Sequence, residues 1–249
     1  MDPVTVNLSR SVWFFDYDGS LCPHQEVFEE RQYRSEDIYS AVKKLSQKSL
    51  GVYWNTGRQW QSLKGVDSRF MEFSGYFVHG SFYWDSHSQK LDQICDSLPQ
   101  AFVTKVVEEI QKWDGVRLEV KPTALRMTVS HTKKISKIRS LWKQLFKNIP
   151  SGWYSYEGPR GFEILSSEFN KGTAVEQTLI DSFAGKNPVP IAVGDDLMDR
   201  FAVEACLKYG GYAFLVGENC GWITEVKHNP KQVYFFQTPQ DVLNFIENI

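Results

Sequence analysis

The chain has 249 residues, 42% hydrophobic, 14% aromatic and 23% charged, which suffices for one large domain or a core with a smaller insert. Lys and Arg number 28 and Asp and Glu 30, so the formal net charge of -2 gives no electrostatic case for nucleic acid or a membrane surface. The cysteines (Cys22, Cys95, Cys206, Cys220) lack C-x-x-C spacing, the start MDPVTVNLSR lacks a secretory pattern, and no apolar run is long enough to span a bilayer; a cytoplasmic chain with free thiols is expected.

The first element is the aromatic run SVWFFD at 11–16, which predicts a buried strand closed by the turn signal DGS. SEDIYSAVKKLSQK at 35–48 carries a Ser cap, early acids, late lysines and Ile38, Val42 and Leu45 at helical spacing. GVYWNTGR at 51–58 predicts a second strand entering a glycine turn, and strand–helix–strand implies a parallel sheet. A helix is expected at about 99–113, followed by the alternating runs GVRLEVK and ALRMTVSH as an antiparallel pair. A basic helix at about 132–147 and the short strands WYSYEG and RGFEIL complete an α+β segment. From residue 171 the rhythm returns to strands and helices: helix 171–184, PIAVGDD, helix MDRFAVEACLKY, strands YAFLV and QVYFF, and a last helix TPQDVLNFIENI. The expected fold class is α/β, a doubly wound, mostly parallel Rossmann-like core (1–86 and 166–249) interrupted by a small α+β cap at 87–165.

Asp16 and Asp18 lie two apart at the end of the first strand, where side chains point the same way, so two carboxylates repel and lose hydration together. A bound cation offsets that cost. In open α/β sheets sites form at the carboxyl ends of parallel strands. Thr56 closes the second strand, Lys171 opens the helix after the insert, and Asp195, Asp196 and Asp199 follow the apolar run IAV. Lys171 sits where the helix dipole disfavours a cation, a local mismatch that favours a functional role over that of a surface lysine. Asp196 and Asp199 have a second reading as caps of the following helix, and His131 as a surface histidine.

These segments resemble the ordered motifs of the haloacid-dehalogenase superfamily of phosphohydrolases: DYDGS, NTG, NKG and GDDLMD. Over about residues 12–225 they are similar to those of the trehalose-6-phosphate phosphatases, through DYDGSL, NTGR, VHG, LEVK, VSH, FEILS, NKG and GDDLMDR. The chain departs from that pattern at Met198, where the family has Thr, at Arg200, where it has an acid, and in FEILSS, which lacks the family proline.

The resemblance implies a magnesium-dependent phosphatase in which Asp16 is the nucleophile, Asp18 the general acid and base, and Thr56 and Lys171 hold the transferring phosphoryl group. It implies Mg²⁺ on Asp16, the carbonyl of Asp18, Asp195 and, as a further ligand or support, Asp196, with Asp199 orienting Lys171. Gly57 and Arg58 are expected to bind substrate beside the phosphoryl site, and Lys121, His131 and Glu163 match cap positions that grip a sugar; Glu119 and Arg126 are further cap candidates. His79, in VHG, matches a structural position near the active site. The expected partner is a small-molecule sugar phosphate, first of all trehalose 6-phosphate, with no nucleic acid and no membrane, for a monomeric protein. Another glycoside phosphate, such as sucrose phosphate or mannosyl-phosphoglycerate, and a catalytically silent binding domain are the competing readings.

Overall fold

The computed structural model describes residues 6–24, 35–129, 135–147, 149–158, 161–218 and 220–249. Its contacts divide the chain into two units, Met1–Asp92 with Asn170–Ile249, and Gln93–Phe169.

In chain order the larger unit contains β1 (Ser11–Phe15), α1 (Ser35–Ser46), β2 (Gly51–Asn55), α2 (Trp60–Val66), β3 (Gly75–Phe77), β4 (Phe82–Asp85) and, with its last residue in the other unit, β5 (Lys90–Gln93). The smaller unit follows with α3 (Gln100–Ile110), β6 (Val116–Lys121), β7 (Ala124–Val129), α4 (Ile135–Leu145), β8 (Trp153–Gly158) and β9 (Gly161–Ser166). The larger unit resumes with α5 (Lys171–Phe183), β10 (Val189–Gly194), α6 (Arg200–Lys208), β11 (Tyr212–Val216), β12 (Val233–Phe236) and α7 (Pro239–Asn248).

Among the described residues the larger sheet has eight strands in the order β12-β11-β10-β1-β2-β3-β4-β5. β12 through β3 run parallel, and β4 turns back antiparallel on β3. β1 is central because SVWFF is apolar on both sides, as a strand covered on both faces must be. Val12 and Phe14 join α5 and α6 in one core. Trp13 and Phe15 stack on the other face, where Trp13 meets Phe214 edge-on at 5.4 Å and Phe214 meets Phe245 of α7 at 5.2 Å. Helices therefore cover both faces, and the fold is the doubly wound α/β one expected. Trp13 and Trp54 are fully buried; burying side chains of this kind stabilises by roughly 1.5–3 kcal/mol each.

Between residues 58 and 99 the sequence shows no sustained period, yet the structure places α2, β3, β4 and β5 there. β5 pairs into the larger sheet, so the contact boundary falls at 92/93 where 86/87 was expected, and the second at 169/170 where 165/166 was expected.

Among its described residues the smaller unit contains a four-stranded antiparallel sheet, β6-β7-β9-β8. Leu125, Met127, Phe162 and Ile164 pack with Val103, Val106 and Ile110 of α3 and Ile138 and Trp142 of α4. The register sets Glu119 opposite Arg126, Arg126 opposite Glu163, and Glu163 opposite Tyr156, a polar rung on the face away from that core.

Candidate active site

The carboxyl ends of β1, β2 and β10 and the start of α5 bring the chemistry of the larger unit together. Beyond β1 the chain turns tightly: Leu21 and Cys22 amides donate to the Tyr17 carbonyl, at 3.1 and 3.0 Å. Gly19 in this turn has φ +85, and a Cβ there would lie 2.2 Å from the Asp195 carboxyl carbon. Only glycine combines that backbone with that approach.

Asn170 caps α5, accepting from the amides of Gly172 (2.8 Å) and Thr173 (3.1 Å), while the Thr173 hydroxyl accepts from the Asn170 amide at 2.9 Å. This box fixes Lys171 as the first helical residue. The Asn55 amide reaches across from the end of β2 to the Lys171 carbonyl at 2.9 Å. Lys171 Nζ lies 3.1 Å from Asp16 Oδ1 and 2.6 Å from Asp199 Oδ1, with all three residues buried. Burial opposes the ammonium, but Asp16 and Asp199 outweigh it and hold its pKa above the ordinary lysine value.

Asp199 spends its other oxygen on the backbone, accepting from the amides of Asp195 (2.9 Å) and Asp196 (3.1 Å). Asp196 Oδ1 accepts from the Met198 amide at 2.8 Å. Both residues thus cap the turn ahead of α6, and Asp199 also anchors Lys171. Asp195 Oδ1 accepts from the Ser20 hydroxyl at 3.3 Å, and Oδ2 lies 2.8 Å from His24 Nε2. Gly194 permits this packing, since a Cβ there would meet the Asp199 side chain at 2.3 Å.

Asp18 faces elsewhere. Its two oxygens accept from Arg58 Nε (2.6 Å) and Nη2 (2.7 Å), a two-armed pair, while Arg58 Nη1 donates to Ser62 Oγ and the guanidinium lies 5.0 Å from the Tyr17 ring. Thr56 is buried, its hydroxyl accepting from the Arg58 amide at 3.2 Å and its carbonyl from the His79 amide at 3.1 Å. Gly57 lies against His79, whose ring would stand 2.5 Å from a Cβ at that position. Val78 and His79 adopt φ of 51 and 55, a backbone that costs a β-branched residue dearly and that clusters at functional sites.

A carboxylate oxygen from each of Asp16, Asp195 and Asp199 lies within 4.8 Å of the others, all three residues buried. Burial pushes the Asp16 carboxyl well up, Lys171 draws it back, and Asp199, Asp195 and Asp18 push it up again. Asp195 is raised by burial, with His24 opposing, and burial takes Asp196 up to about 7. One lysine does not neutralise this cluster. The donor set, all carboxylate oxygen, fits a hard divalent cation such as Mg²⁺. Each oxygen of Asp195 accepts one side-chain bond and Lys171 meets one oxygen of Asp16, so both residues keep lone pairs for such an ion, whereas Asp199 Oδ2 already accepts two amides and its Oδ1 holds Lys171.

The sequence reading thus named Asp16, Lys171, Asp195, Asp196 and Asp199, which the structure brings together at one end of the sheet, with Thr56, Gly57, Asp18 and Arg58 forming the adjoining network. It passed over Ser20, His24 and Asn55 as partners of these groups. In the smaller unit Lys121 is buried, with Nζ 3.9 Å from Glu119 Oε1, and Arg126 Nε lies 3.6 Å from Glu163 Oε1. Burial and Glu163 push the Tyr154 hydroxyl up to about 12. His131 lies outside the described residues.

Comparison with solved structures defines first the fold: it is that of the haloacid-dehalogenase-like hydrolases. One such hydrolase from Bacteroides thetaiotaomicron superposes with a TM-score of 0.67 at 13% identity, covering 96% of this chain and 98% of that one. The trehalose-6-phosphate phosphatase structures share the same architecture along nearly their whole length. The C-terminal domain of the C. albicans trehalose-6-phosphate phosphatase gives a TM-score of 0.76 at 18% identity, covering 97% and 92% of the two chains. A trehalose-6-phosphate phosphatase related protein gives 0.72 at 20% identity, covering 96% of each. No family model matches the chain, and no curated protein matches it.

Proposed function

We propose that this chain is a divalent-cation-dependent phosphatase that hydrolyses a sugar phosphate through an aspartyl-phosphate. The observation that carries the reading is the bridge from Lys171 to Asp16 and Asp199 beside Asp195, at the carboxyl ends of β1 and β10. A lone acidic strand end is a common turn. A buried lysine clamped between two acids from distant parts of the chain is the equipment of charge-neutralising phosphoryl chemistry.

Asp16 attacks phosphorus, forming an O–P bond as the bond to the sugar oxygen breaks. Asp18 delivers a proton to that leaving oxygen, then takes one from the water that cleaves the aspartyl-phosphate, releasing phosphate and restoring Asp16. Lys171 holds Asp16 and offsets negative charge on the phosphoryl oxygens. Thr56 and the Gly57 amide donate to the same oxygens. Arg58 grips Asp18 with two bonds in this structure, which competes with a proton on Asp18; the proposed proton transfer requires that pair to open, with Arg58 binding substrate oxygens instead. When bound, Mg²⁺ supplies compensation for the charge gathered by phosphate and carboxylates, with Asp16, the Asp18 carbonyl and Asp195 holding it and Asp196 supporting. In the smaller unit Lys121 and Glu163, with Glu119 and Arg126 on the same polar face, select the sugar.

Trehalose 6-phosphate is the substrate this reading favours, supported by the neighbours named trehalose-6-phosphate phosphatase and by the motifs that run through both units. The test is phosphate release from a panel containing trehalose 6-phosphate, sucrose phosphate, mannosyl-phosphoglycerate and a small aryl phosphate, with and without Mg²⁺. Magnesium-dependent release that Asp16→Asn abolishes without unfolding is expected. Release by Asp16→Asn at the wild-type rate removes the nucleophile, and no release from any member removes the phosphatase. Lys121→Ala and Glu163→Ala should slow the preferred sugar phosphate far more than the aryl phosphate; equal losses would assign these residues to the fold.

A further inference from the structure

Asp195 is held at every polar atom it has. Its amide donates to Asp199 Oδ2 at 2.9 Å, its carbonyl lies 3.5 Å from the Cys220 thiol, its Oδ1 accepts from Ser20, and its Oδ2 meets His24 Nε2 at 2.8 Å. The His24 contact is the shorter of the two side-chain contacts to the carboxylate, and it comes from the chain immediately beyond the tight turn that follows Asp16. A carboxylate oxygen only accepts, so the ring nitrogen facing it carries the hydrogen. Each oxygen of Asp195 keeps a lone pair for another partner after these bonds.

Three constraints meet at this side chain. Gly19 packs so close that a Cβ there would lie 2.2 Å from the carboxyl carbon. Burial works against its charge, and Asp199 repels it. Its orientation therefore depends on donors, and the Ser20 bond, at 3.3 Å, is long. We infer that His24 is a positioning residue for the cation site, donating from Nε2 to Asp195 Oδ2 and thereby fixing which lone pairs Asp195 presents to the divalent ion. The arrangement is the outer-shell support that ligating carboxylates require, and loss of such support typically weakens metal binding 10–100-fold. His24 has no part in bond making; it acts through Asp195. A glutamine places its amide N–H at about the reach of imidazole Nε2 and conserves the donor.

This inference rests on the divalent-cation reading of the site, and its test needs no turnover. Mn²⁺ affinity is measured by titration calorimetry and by the free-ion resonance signal for wild type, His24→Ala and His24→Gln, each checked for its fold by circular dichroism. His24→Ala is expected to bind Mn²⁺ about 10–100-fold more weakly, and His24→Gln to recover most of the loss. Wild-type affinity in His24→Ala would overturn the assignment, as would a glutamine variant no better than alanine. Nitrogen coupling in the Mn²⁺ resonance spectrum of the wild type would also overturn it, because the ring would then be a direct ligand. Ordered metal affinities across the three proteins with no phosphate release from the substrate panel would leave His24 in place and remove the phosphatase reading. Phosphate release with affinities unchanged would do the reverse.

Discussion

At the scale of single residues, the site is an electrostatic compromise around Lys171. Its ammonium lies 3.1 Å from Asp16 and 2.6 Å from Asp199, away from solvent. Lys171→Ala should destabilise the protein by about 3–5 kcal/mol, the usual consequence of stranding a buried charge, and urea unfolding checks this. Removing Asp199 alongside it, as Lys171→Met with Asp199→Asn, should recover part of that loss. The acids were legible because each stands in a short motif behind an apolar strand, and the lysine because NKG opens a helix directly after the insert. His24 and Ser20 were not legible as a pair on Asp195, because residues far apart in sequence meet there only after β1 and β10 have paired. Asp199 was readable as a support for Lys171, whereas its second task, gathering the amides of Asp195 and Asp196, is a matter of backbone geometry.

At the scale of elements, long amphipathic segments announced themselves and short ones did not. α1, α3, α5 and α7 have apolar positions at helical spacing, and β1 and β10 are unbroken apolar runs. β3 has three residues and β4 four, too few for a period to register, and β5 (KLDQ) is polar, as suits a strand that is the last of its sheet among the described residues. The turn from β4 to β5 carries Gln89 with φ 56 at an exposed position. Gln89→Gly should relieve that left-handed backbone and stabilise the protein by roughly 1 kcal/mol, seen as a raised midpoint in chemical denaturation with activity unchanged. An unchanged or lowered midpoint would mean that the Gln89 bond to the Ser86 carbonyl outweighs the strain.

For the whole molecule, stability should depend on pH in a way that a cation alters. Burial takes the Asp196 carboxyl from 3.8 up to about 7 in the metal-free fold. Below 3.8 the group is neutral in both folded and unfolded chains. Between 3.8 and about 7 the unfolded chain has released the proton that the folded one keeps, so stability falls as pH rises through this window. Thermal melting without divalent ions should therefore show a decline that Asp196→Asn makes shallower and that Mg²⁺ opposes. Equal profiles for wild type and Asp196→Asn would show that Asp196 ionises freely in the fold. The division into two units was visible in the sequence as a change of rhythm, from parallel strand–helix repeats to alternating half-exposed strands. The first margin lies a few residues later than the rhythm suggests because β5 pairs into the larger sheet.

The position of β1 also governs the order in which the protein can be made. One neighbour, β2, leaves the ribosome soon after it, but the other, β10, pairs Val189 with Ser11 and arrives only after the entire smaller unit has been synthesised. At 5–20 residues per second that interval is on the order of ten seconds, during which a strand buried along its whole length has an unpaired edge. The smaller unit has its own apolar core and can collapse in that time, shortening the chain that must be closed before Val189 finds Ser11. The inserted unit thus also spans the interval in which a growing chain must be kept from pairing with the wrong partner.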